Sequence, residues 1–109
     1  MQEGFFQRMC SITGYSPITT FWDEFTKAEA SDGEDAVRNL YAESFEKCKG
    51  NYKRFTELVM VLNWKSWYHD SVDNDQMCSL YIELFNKASD WGYNNLKGEA
   101  MDYFWQTLD

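Results

Sequence analysis

Met77, Leu80, Tyr81, Leu84, Phe85, Ala88 and Trp91 recur at three- and four-residue intervals and line up on one unbroken helical face. A stripe of that length has to be buried against other elements, so it constrains the rest of the chain to supply covering surfaces. The sequence supplies them as further helices. One proline and six glycines in 109 residues leave little strand-and-turn punctuation, while helix-capping signals recur along the chain.

The expected helices follow from those caps. Thr20 precedes Phe21, Trp22, Phe25 and Ala28, whose spacing predicts a helix over about residues 20–30. Ser31 with Glu34 has capping-box spacing, and Val37, Leu40, Tyr41, Phe45 and Cys48 then continue at helical intervals until Gly50. Asn51 is placed to cap a third helix running to about residue 70. Asp73 with Gln76 opens the fourth, which carries the long stripe past Gly92 to about residue 95. Gly98 separates it from a short last helix with Met101, Phe104, Trp105 and Leu108. Connections this short favour antiparallel packing of neighbours, so the expected fold is all-α, a compact four- to five-helix bundle. Residues 1–18 form an expected N-terminal arm, interrupted by Gly4, Gly14 and Pro17 and carrying Phe5, Phe6, Met9, Ile12 and Tyr15. Residues 19–109 form the expected single helical domain.

The segment over 51–70 is apolar on two faces. Phe55, Leu58, Val59 and Leu62 cluster on one side, and Met60, Trp64 and Trp67 lie roughly opposite. A helix of this kind is either central in its own bundle or has one face in a partner, which makes Met60, Trp64 and Trp67 the candidate partner-binding residues. The favoured cover for that face is the first and last helices, which places this third helix at the centre of the bundle with the second and fourth beside it.

From Asn51 to Trp67 the sequence reads NYKRFTELVMVLNWKSW, with TTFWDEF from residue 19, LYIELFNKASDW from residue 80 and NLKGEAMDYFWQTLD to the C-terminus. Over roughly residues 19–109 this set resembles a family of uncharacterised small helical proteins of bacterial, and especially mobile-element, genomes. The resemblance implies a small bacterial helical domain and assigns no catalytic residue, cofactor or ligand.

Composition narrows the function classes. Ten basic against eighteen acidic residues give a net charge of -8, while 44% apolar and 18% aromatic residues exclude disorder by low hydrophobicity. No uninterrupted apolar run is long enough to span a membrane, and none follows a basic N-terminal region, which points to a cytoplasmic protein without membrane contact. Cys10, Cys48 and Cys78 are odd in number and widely spaced, as suits a reducing compartment. No metal-ligand spacing occurs, and no metal or other cofactor is expected. Asp73-Asn74-Asp75 begins like a calcium loop but places Met77 and Leu84 where oxygen ligands are required.

Nucleophilic catalysis needs a base beside the nucleophile, and the sole imidazole is His69, expected in the last turn of its helix where the dipole favours a cation. A Cys78–His69 pair lacks any strained nucleophile turn or oxyanion-hole glycine run around it. No catalytic residue is therefore assigned.

Charge is unevenly spread. Residues 1–35 carry two basic and seven acidic side chains, 36–68 six and three, and 69–109 two and eight. Lys53 and Arg54 fall in a first helical turn, where the dipole opposes cations by a few tenths of a kcal/mol each. With Lys49 they form a candidate anion site at the junction near Gly50, unless carboxylates of the same chain satisfy them. The functional expectation is a non-enzymatic protein-interaction module or small homo-oligomer, including a homodimer through the tryptophan face. The alternative is an acidic nucleic-acid mimic, or a phosphate-contacting regulator linked to a mobile element. Direct nucleic-acid binding is disfavoured by a pI near 4.5, because nonspecific affinity comes from neutralising phosphates.

Overall fold

The structure is a computed structural model and describes residues 18–108. Residues 1–17 of the expected arm, Cys10 among them, thus lie outside the described residues, and its last residue, Ile18, opens the first helix. Four helices follow one another: α1 (Ile18–Cys48), α2 (Tyr52–Ser71), α3 (Asp75–Asn95) and α4 (Glu99–Leu108), with no strand among the described residues. This is the all-α bundle that the caps and stripes predict. No helix among the described residues is long and apolar enough to cross a membrane.

The two helices expected over residues 20–49 are joined end to end in α1. The joint is a local break, with Asp32 at φ -138°, ψ 23° and Gly33 at φ 58°, ψ -130°. Gly33 occupies a backbone region that side-chain-bearing residues essentially avoid, and one such residue lets the helix change direction without a loop. Glu34, expected to reach back to a cap at Ser31, instead pairs forward with Arg38 at 2.9 Å, and Arg38 also bridges to Glu83 of α3 at 2.7 Å.

Asn51 caps α2 as expected, its side-chain oxygen accepting the Arg54 N–H at 3.3 Å. The other end of α2 differs from the expectation by one residue. Asn74, not Asp73, caps α3, accepting the Met77 N–H at 3.2 Å. Asp73 sits at φ 59°, and the bonds Asn74 N to His69 O and Asp73 N to Asp70 O close α2 in a Schellman motif. That motif requires a left-handed residue, so Asp73 is used to end one helix and Asn74 begins the next.

α2 is the central helix and packs against the other three. Every residue from Phe55 to Leu62 is buried, which accounts for a segment apolar on opposite sides. At one end of the bundle Phe45 of α1, Phe55 of α2, Trp91 of α3 and Phe104 of α4 meet with ring centroids 5.1–6.1 Å apart. Gly92 permits this approach: a Cβ there would lie 3.1 Å from both Phe104 and Phe55.

Candidate functional site

Lys65 continues the buried face of α2 set by Leu58 and Leu62, and at 1% exposure it is a cation enclosed in the bundle. Burial of an ammonium is tolerated only with a partner, and Glu29, from the first half of α1, supplies it at 3.3 Å. The Lys65 ammonium also donates to the Thr26 hydroxyl and stands 4.4 Å from the centre of the Trp22 ring. Glu29 is the hub of the cluster. One carboxylate oxygen accepts the Tyr81 hydroxyl, and the other lies 3.1 Å from His69 Nε2. His69 stacks on Tyr81, the rings 7° from parallel. The imidazole meets the carboxylate off the line of a well-directed hydrogen bond, and its buried Nδ1 has no hydrogen-bond partner among the described residues.

The electrostatics follow from this packing. Burial alone would push the Glu29 carboxyl up, but the close approach of His69 Nε2, the hydrogen bond from the Tyr81 hydroxyl and the charge of Lys65 bring it below the usual carboxylate value. Lys65 is lowered because burial outweighs the pull of Glu29. Tyr81 is driven far up, by burial first and then by the adjacent carboxylate. Such shifts also occur at catalytic sites, but chemistry requires access. Lys65 and His69 are closed off, and the grooves at Trp67 and at Cys48 described below are lined by none of Glu29, Lys65, His69 and Tyr81. The arrangement acts as a clasp joining α1, α2 and α3.

The accessible features lie elsewhere. A groove of about 430 Å³ runs between α2 and α3, with Asn63, Ser66, Trp67 and Asp70 on one wall and Cys78, Ile82, Phe85 and Asn86 on the other. Trp67 and Ile82 are 49% and 46% exposed. A second groove of about 400 Å³ lies between α1 and the start of α2, where Phe21, Leu40 and buried Cys48 are overhung by Glu24, Glu43, Lys47 and Arg54. Cys48 and Cys78 are free thiols, both held above the ordinary thiol value, chiefly by burial. Among the described residues no group of three or more His, Cys, Asp or Glu side chains is arranged to hold a metal ion.

The sequence-derived candidates separate. Met60 and Trp64, at 3% and 4% exposure, are core, and of the three expected partner-binding residues Trp67 alone faces outward. The reason is that α2 is enclosed on all sides from Phe55 to Leu62 and opens again toward its C-terminal end. Lys49, Lys53 and Arg54 turn toward different elements: Lys49 to Glu46 of α1 at 3.0 Å, Lys53 over the Tyr103 ring of α4 at 5.9 Å, Arg54 over Phe21 at 3.9 Å and to Glu57 at 2.8 Å. His69 lies in the last turn of α2, where the sequence places it, and its side chain points inward to the clasp.

Sequence reasoning passed over Lys65 and Glu29. The signal for Lys65 was present, since a lone cation in register with Leu58 and Leu62 has to meet a carboxylate inside the bundle. Nothing in the sequence selects Glu29 from eighteen acidic residues. The chain matches no family model, no curated protein and no solved structure, so its functional reading rests on this geometry.

Proposed function

We propose that this protein is a partner-binding module, not an enzyme, and that the groove between α2 and α3 is its contact surface. The observation that carries the reading is the pair Trp67 and Ile82, each about half exposed and on opposite walls of one groove. Large apolar side chains that converge on a concave surface bind by releasing water, and tryptophan is enriched among residues that dominate such interfaces. The groups best suited to chemistry are enclosed in the clasp, which favours binding over catalysis. A different protein is favoured over a second copy. The groove contributes Asp70 and no cation, so two grooves face to face would oppose like charges across a chain of net charge -8.

Site-specific photocrosslinking in the native host tests this. A crosslinker at position 67 or 82 is expected to yield a discrete adduct with another protein, lost when the other position is changed to Ala. A crosslinker at Tyr93 or Trp105, equally exposed on a different surface, is expected to yield none. Absence of adducts at 67 and 82, or the same adducts from all four positions, would overturn the reading.

A further inference from the structure

The groove is the continuation of a seam that the protein already uses to dock a helix. On α2, Tyr52, Phe55, Asn63, Ser66 and Asp70 fall on one face by helical spacing, and on α3 Cys78, Ile82, Phe85 and Gly92 do the same. α4 covers one half of this seam, placing Tyr103 against Tyr52 and Phe104 against Phe55 and Gly92. With 10 residues α4 is about 15 Å long, whereas the 20-residue α2 runs for about 30 Å. Among the described residues the other half of the seam is uncovered, and it is the groove.

We propose that the open half receives an amphipathic helix of a partner protein, with aliphatic or aromatic anchors at i, i+3/i+4 and i+7 and a Lys/Arg-rich flank. This deepens the reading of the groove as a binding surface and rests on it. The helical form follows from continuity with the α4 contact, because the same two ridges line both halves. The apolar anchors follow from Trp67, Ile82 and Phe85. The cationic flank follows from charge: Asp70 lines the groove, the carboxylates of Asp70 and Asp75 both act on the Cys78 thiol at its wall, and no lining residue is basic.

Two synthetic helix-stabilised peptides of about twelve residues, about three turns, serve as probes. Both carry the same Leu and Phe anchors, and the flanks are Lys in one and Glu in the other. Titrated against the full chain by fluorescence anisotropy, the Lys peptide is expected to bind about tenfold or more tightly than the Glu peptide at low salt, the gap narrowing as salt rises. Trp67→Ala is expected to weaken the Lys peptide about tenfold or more, and Asp70→Asn with Asp75→Asn to remove most of the discrimination. Trp105→Ala is expected to change nothing. Equal binding of both peptides, lost in Trp67→Ala, would overturn the charge selection and leave the groove as a binding surface. Lys-peptide binding indifferent to Trp67→Ala would overturn the docking site in favour of general attraction to an acidic surface. No binding of either peptide would overturn the helical occupant, while the crosslinking result would judge the groove independently.

Discussion

The two ends of α2 solve the same packing problem with opposite chemistry. At Phe55 four aromatic rings from four helices close on one another through ring-to-ring contacts. At Lys65 and His69 three helices meet through an ammonium, an imidazole, a phenol and one carboxylate. The aromatic end gains from every contact independently, because dispersion and water release are nondirectional. The polar end is conditional: each group is tolerable only while its partners are in place. Loss of an aromatic ring leaves a hole, and loss of Glu29 leaves a buried cation.

The largest effect is expected at the aromatic end. Phe55→Ala should cost about 3–5 kcal/mol in chemical denaturation, since Phe55 is fully buried and touches rings from all three other helices. A cost below about 1 kcal/mol would show that α4 does not hold its place through this contact.

The comparison sharpens at the clasp. Glu29→Gln alone should cost about 3 kcal/mol because Lys65 loses its counter-charge, whereas Glu29→Gln combined with Lys65→Met should return to within about 1 kcal/mol of the wild type. A double-mutant cycle measures this nonadditivity directly. Strict additivity of the two changes would mean that the pair is not coupled.

Gly92→Ala is expected to cost about 1–3 kcal/mol, because the added methyl group meets two rings at 3.1 Å that are themselves packed against neighbours. A variant as stable as the wild type would show slack in the aromatic end.

The smallest effect separates the ends by pH. A carboxyl held below its ordinary value contributes stability that is fully present above the unfolded-state value and is lost as pH falls through the folded-state value. Glu29 is such a group, facing Lys65, His69 and Tyr81. Acid should therefore weaken the clasp and spare the aromatic end, with amides of the first half of α1 losing hydrogen-exchange protection before those around Phe55. The Glu29→Gln variant should lack that part of the acid dependence. Uniform loss of protection along α1, α2 and α3 would argue against a separable clasp.

Much of the fold was legible because helix-forming information is local. The stripe from Met77 to Trp91, the cap at Asn51 and the stop at Gly98 each act within a turn or two of the chain, and each appears where the spacing places it. The Asp73/Asn74 exchange was not legible, because either residue caps a helix and the choice depends on how the preceding helix ends. The candidate site was less readable. Met60, Trp64 and Trp67 share one side of α2, and whether that side is core or surface is a property of what covers it.

The sequence by itself determined that this chain is helical, where most of the helices begin and end, and that the segment after Asn51 carries two apolar faces that both need cover. Tertiary structure alone decided that Glu29 answers Lys65, that Trp64 is enclosed while Trp67 is exposed, and that α4 lies over one half of the seam between α2 and α3. Those are contacts between residues distant in sequence, and they follow from helix lengths and crossing positions that local spacing does not encode.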